Sequence, residues 1–169
     1  MKIYFEKFGE IKIINYIDLN TDEKRTILKM RNHPNINKWM YSKGNISEKS
    51  HFDFIQKLES DREMLYFLVK KKHDIIGSIN FSNIAKKESA ELGIYSNPFN
   101  KNKGLGEILI EVVLQFACEK LDLNKIYLEV YSDNDRAINF YNKCGFKSTK
   151  VIENERVIFM EKVLLCENE

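Results

Sequence analysis

Only two prolines, Pro34 and Pro98, interrupt this chain, and no stretch rich in Pro, Gly or Ser sets one part off from another. A chain of 169 residues with no such linker is expected to build a single domain around one core. Neither sign of charge dominates: 27 Lys and Arg stand against 25 Asp and Glu, and the lysines are spread along the chain, which argues against a nucleic-acid partner. Long apolar runs are missing too. Met1 to Glu10 alternate charged with apolar side chains, so neither a signal peptide nor a membrane anchor is expected, and a cytoplasmic protein is. The three cysteines, Cys118, Cys144 and Cys166, are odd in number and lack C-x-x-C spacing. Reduced thiols are expected rather than a disulfide framework or a zinc site, with Cys118 in the core, and no metal is implied.

What is present is periodicity. Lys2 to Phe8 and Glu10 to Tyr16 alternate and read as strands; Asn20 with Glu23 forms a capping box before a helix to about Asn32, which Pro34 ends; Ser47 caps a helix to about Ser60. Met64 to Lys70 and Asp74 to Phe81 read as a hairpin across Lys71 to Asp74, and Ser89 to Tyr95 as a further strand. Ile108, Leu109, Val112, Val113, Phe116 and Ala117 recur at helical spacing, then Lys125 to Tyr131 is a strand, Asp135 to Lys143 a helix, and Phe146 to Ile152 and Arg156 to Leu164 a closing pair of strands. This order describes a mixed α/β domain around one sheet.

One stretch carries chemistry. Asn97-Pro98-Phe99-Asn100-Lys101-Asn102-Lys103-Gly104-Leu105-Gly106-Glu107 runs directly into the apolar helix. A helix N-terminus leaves unpaired N–H groups and carries partial positive charge, so the stretch reads either as a pyrophosphate cradle or as a plain tight turn. A dinucleotide fold is disfavoured, because Leu109 stands where its third glycine would be.

Lys101-Asn102-Lys103-Gly104-Leu105-Gly106 resembles the Gln/Arg-x-x-Gly-x-Gly/Ala signature of the GNAT superfamily of acetyl-CoA-dependent N-acetyltransferases, with Lys101 departing from the usual Gln or Arg. Asn134 to Phe146 resembles that superfamily's Asn-x-x-Ala-x-x-x-Tyr-x-x-x-Gly-Phe segment. The resemblance implies the GNAT acyltransferase fold, about seven strands with four helices on both faces. It also implies acetyl-CoA as co-substrate and two parallel strands, Glu91 to Tyr95 and Lys125 to Tyr131, that splay apart beside it. By the same resemblance, backbone N–H groups near Ile94 and Tyr95 pair with pantetheine, Lys101, Asn102, Lys103, Leu105 and Gly106 meet the pyrophosphate, and Gly104 allows close approach. Asn134 and Ala137 complete the cofactor site, and Tyr141 is the general acid that returns a proton to the thiolate. Glu129 matches an acidic position in ribosomal-protein acetyltransferases, and Glu91 is a second candidate base; either is equally readable as a solvent-facing carboxylate.

For the acceptor, Met30 to Pro34, Trp39 to Tyr41, Ser47 to Phe52 and Gly77 to Phe81 resemble a subgroup acting in pseudaminic acid biosynthesis, toward glycosylated flagellin. It acetylates the 4-amino group of UDP-4-amino-4,6-dideoxy-N-acetyl-β-L-altrosamine. Trp39, Met40, Tyr41 and Phe52 are then expected to stack on uracil, Arg31 and His51 to meet the diphosphate, and Ser78 and Asn80 to contact the sugar. Without the resemblance, Trp39 and Phe52 read as cover for the sheet and His51 as a core histidine. A protein N-terminal acetyltransferase and a silent acetyl-CoA-binding module are the competing readings. The resemblance implies no membrane partner and a monomer or homodimer.

Overall fold

Alternating apolar residues at both ends of the chain close one sheet. The computed structural model describes residues 1–152, 154 and 156–166. Its strands are β1 (Lys2–Phe5), β2 (Gly9–Asn15), β3 (Leu65–Lys71), β4 (Asp74–Ala85), β5 (Ser89–Ser96), β6 (Lys125–Tyr131), β7 (Lys147–Ile152) and β8 (Val157–Val163). They lie in the order β1-β2-β3-β4-β5-β6-β8-β7, and among the described residues β5·β6 is the one parallel pair. That is one strand more than the expected seven. The helices are α1 (Thr21–Asn32), α2 (Pro34–Asn37), α3 (Glu48–Leu58), α4 (Leu105–Glu119) and α5 (Asp135–Lys143). The short α2 was not expected: Pro34 does end α1, and as the first residue of α2 it also starts the next turn, where a fixed φ and a missing N–H cost nothing.

Local chemistry explains the boundaries. Asn20 and Glu23 form the reciprocal capping box of α1, and the Ser47 side chain caps α3. In β3 the alternation puts Phe67 and Val69 into one cluster and Leu68 into another, because successive side chains leave opposite faces. The larger cluster lies against α4, whose Leu109, Val112, Val113 and Ala117 are fully enclosed. The smaller gathers Tyr16, Ile27 of α1 and Ile55 and Leu58 of α3. The two helix layers therefore leave the edges of β5 and β6 as the place where the sheet can open.

The cysteine expectation is overturned at one pair. Cys118, in the last turn of α4, is disulfide-bonded to Cys166 after β8, across a sequence separation of 48, and Cys144 is free. Odd count and absent C-x-x-C spacing say nothing of residues that the fold brings together over such a distance. Closing a loop of that length stabilises by about 4 kcal/mol in the chain-entropy picture. Thiol counting on unreduced, denatured protein is expected to give one free thiol, and a Cys118→Ser variant a lower Tm than wild type; three free thiols in unreduced protein would contradict the cross-link.

Candidate active site

The site begins where a hydrogen-bond ladder stops. β5 and β6 pair through Ser89↔Lys125, Ala90↔Ile126 and Glu91↔Tyr127, and beyond that register β5 runs on to Ser96 and β6 to Tyr131 unpaired with each other. β4 still holds β5 as far as Gly77↔Ser96. Backbone donors of β5 that point toward β6 past Glu91, in the partly exposed segment holding Ile94 and Tyr95, therefore have no strand partner among the described residues and are left to water or to a ligand that supplies acceptors.

The glycine stretch lies beside this fork. Asn97 and Asn100 both donate from their side chains to the Ile75 carbonyl, at 3.0 and 3.2 Å, and their Oδ1 atoms accept from the backbone N–H of Phe99 and Asn102. These bonds fix the loop on β4. Gly104, with φ of 78°, is the N-cap of α4 and offers no side chain to its first N–H groups, which stay open for an anion. Gly104 sits in a left-handed turn with open space where a Cβ would stand, and at Gly106 a Cβ would lie 3.3 Å from the Phe140 ring of α5.

Between the fork and the α1–α3 layer lies a cleft of about 590 Å³. Ile94, Tyr95, Asn134, Ala137 and Tyr141 line it, whereas Lys101 to Gly106 lie outside its lining, at the separate N-terminus of α4. Tyr141 is buried, and burial pushes its phenol well above the ordinary value, so it stays protonated. Two carboxylates share the cleft. Glu91 accepts from Asn83 Nδ2 at 2.7 Å, and burial holds its carboxyl above the usual range. Glu129 accepts from the Tyr41 hydroxyl, and Trp39 and Tyr41 pack on Tyr131 two residues further along β6.

The acetyltransferase (GNAT) family matches residues 30–146. The chain belongs to the GNAT acetyltransferase family. Among members of the family, an acetyltransferase named PseH from Campylobacter jejuni strain 81-176 is 40% identical over 136 residues, covering 80% of this chain and 84% of that protein. The crystal structure of C. jejuni PseH in complex with acetyl coenzyme A superposes with TM-score 0.75 at 29% identity, over 90% of this chain and 98% of that one. A spermidine N-acetyltransferase from Vibrio cholerae, in complex with CoA and spermine, gives TM-score 0.81 at 25% identity, over 92% and 96% of the two chains.

Within this GNAT cleft the acceptor-side expectations divide. Arg31, Trp39, Met40, Tyr41, His51 and Asn80 line it. Asn80 lies across β5 because Gly93 makes room: a Cβ there would be 2.2 Å from Asn80 Oδ1. Phe52 does not line the cleft; it lies under Lys24 on another side of α3, and Phe54 lines the cleft instead. The buried side of α3 is set by His51, Ile55 and Leu58, a helical period that turns Phe52 away. Ser78 is buried at 1% exposure, with its hydroxyl 2.5 Å from that of Tyr16, and serves as a support below the cleft rather than in its lining. Tyr16 and Tyr66 line the cleft and escaped the sequence reading, because a strand-end tyrosine looks like any core aromatic.

His51 is also not a cation. Its Nε2–H donates to the Lys24 carbonyl at 2.9 Å, and burial pulls its pKa down, so the imidazole is neutral in the folded protein. A basic group depressed on folding contributes stability that is complete above its unfolded value, about 6.5, and is lost as pH falls from there through the lower folded value. Wild-type Tm is therefore expected to fall between neutral and mildly acidic pH more steeply than that of a His51→Gln variant. Parallel Tm profiles for the two would contradict this.

Proposed function

We propose that the protein transfers acetyl from acetyl-CoA to the 4-amino group of UDP-4-amino-4,6-dideoxy-N-acetyl-β-L-altrosamine, a cytoplasmic step of pseudaminic acid biosynthesis. Family membership and the likeness to PseH support acetyl transfer in that pathway. The observation that carries the acceptor is Arg31. Its Nη2 donates to the Ser42 carbonyl at 3.1 Å, but among the described residues its buried Nη1 has no hydrogen-bond partner; Tyr95, Tyr16 and Tyr66 lie near the guanidinium. A buried donor left unpaired costs about 1–3 kcal/mol, which an anionic acceptor removes on binding. Trp39, Met40 and Tyr41 beside it suit a nucleobase.

The open N–H groups at the start of α4 suit the pyrophosphate of acetyl-CoA, and the free edge of β5 near Ile94 and Tyr95 suits its pantetheine arm and thioester carbonyl. The acceptor arrives as an ammonium and first gives one proton to a cleft carboxylate, Glu91 or Glu129, which passes it to solvent. The amine nitrogen then bonds to the thioester carbon, and the carbon–sulfur bond breaks with its electron pair on sulfur. Tyr141 donates its proton to that sulfur and is restored by the second proton of the former amine. Burial makes its phenol a weaker acid than an exposed one, which keeps the proton in place until a basic thiolate forms.

Mass spectrometry of reactions containing acetyl-CoA and a panel of UDP-amino sugars is expected to find one acetyl group added to the 4-amino sugar. Acetylation of a ribosomal peptide with no sugar modified would sink this acceptor. In Tyr141→Phe, kcat is expected to fall ~100-fold while acetyl-CoA still binds; wild-type turnover in that variant would remove Tyr141 from the chemistry.

A further inference from the structure

Asn83 is an odd residue for a strand. It sits in β4 between the pairs Ser82↔Glu91 and Ala85↔Ser89, where the register with β5 breaks, and its φ of 50° is left-handed. Asn is among the few residues with a Cβ that adopt this backbone readily, and a bulge at such a point re-aims a side chain. Here the side chain crosses to β5 and donates through Nδ2 to Glu91 Oε2 at 2.7 Å. It also lies near the Tyr127 phenol, whose pKa it lowers against the larger upward push of burial. Glu91 and Tyr127 are the last register pair before β5 and β6 part, so this side chain holds β5 at the root of the fork.

We propose that Asn83 is a positioning residue: from the break in β4 it pins one oxygen of Glu91 and leaves the other, Oε1, to take the proton of the acceptor ammonium. This rests on the reading that a cleft carboxylate is the proton acceptor, and it selects Glu91. Each cleft carboxylate has one oxygen engaged, Glu91 Oε2 by the Asn83 amide and Glu129 Oε2 by the Tyr41 hydroxyl; Glu91 is preferred because burial raises its carboxyl toward the range of a working base. The step moves one proton from R–NH3+ to Glu91, giving R–NH2 and a neutral carboxyl, which then loses that proton to solvent.

The groups facing Glu91 are Asn83 on β4, Glu129 and Tyr127 on β6, Tyr66 on β3 and Tyr41 from the segment after α2. Burial raises the Glu91 pKa, the Asn83 amide lowers it, and the Glu129 charge raises it. Without the amide, the carboxylate is harder to form. The acid limb of the rate profile, set by ionisation of the proton acceptor, then moves to higher pH.

Two variants separate chemistry from folding. Asn83→Gly keeps the left-handed backbone and removes the amide; Asn83→Asp keeps the shape and puts a negative charge against Glu91. Carbon-13 NMR titration of the glutamate carboxyls of the full chain without ligand, with Glu91 identified by its loss in Glu91→Gln, needs no acceptor. Its midpoint is expected to rise in Asn83→Gly and further in Asn83→Asp. With the UDP-4-amino sugar, kcat/KM at acidic pH is expected to fall ~3- to 10-fold and recover at alkaline pH, with KM for acetyl-CoA unchanged. An unmoved Glu91 midpoint in both variants, or a moved midpoint with an unmoved acid limb, overturns the role of Asn83. A wild-type acid limb in Glu91→Gln overturns instead the assignment of Glu91 as proton acceptor.

Discussion

The structure depends on one broken ladder. Each strand of a sheet must satisfy its backbone polar groups, and β5 does so on its β4 side along its length but on its β6 side only as far as Glu91. The sheet is prevented from closing by what flanks it. α4 is fixed on one face by an almost wholly apolar side, and α1 and α3 are held on the other by a separate cluster around Tyr16 and Leu68. The unpaired edge, the cleft and the open end of α4 follow from that arrangement, which offers a ligand backbone donors at both places.

Open backbone donors lie beside the departure at Lys101. Where a Gln or Arg fork is replaced by a lysine, the donors that remain are the first N–H groups of α4, left open because Gly104 supplies no capping side chain. The acceptor side is built differently, from side chains contributed by α1, the segment after α2, α3 and four strands. Its charges are distributed: the Arg31 guanidinium stands on the side of Tyr16 and Tyr66, and the carboxylates of Glu91 and Glu129 at the fork. A substrate carrying both an anion and an ammonium suits that separation, the anion toward Arg31 and the amine toward the carboxylates.

Much of the C-terminal half, and the start of α1, was legible in the sequence because the chemistry there is local. β6 was expected at Lys125 to Tyr131 and is found there, the apolar period of α4 named residues that are enclosed, and the Asn20 and Glu23 box sits at the start of α1. What was not legible depends on distance along the chain. Nothing near Cys118 announces Cys166, nothing near Ser78 announces the Tyr16 hydroxyl, and Asn83 acquires its grip on Glu91 only through a register break. Phe52 and Phe54 are alike in composition, and only the rotation of α3 against the sheet decides between them. The resemblance set His51 against the diphosphate, whereas its type and place read as a core histidine, and burial with the Lys24 carbonyl sets its charge state.

The central claim is that acetyl-CoA completes the ladder that β6 abandons. Amide hydrogen exchange across Leu92–Ser96, measured with and without acetyl-CoA, tests it most directly. The account predicts that alternate amides of this segment become strongly protected when acetyl-CoA binds, together with the first amides of α4. Protection at the start of α4 with unchanged exchange across Leu92–Ser96 would contradict it.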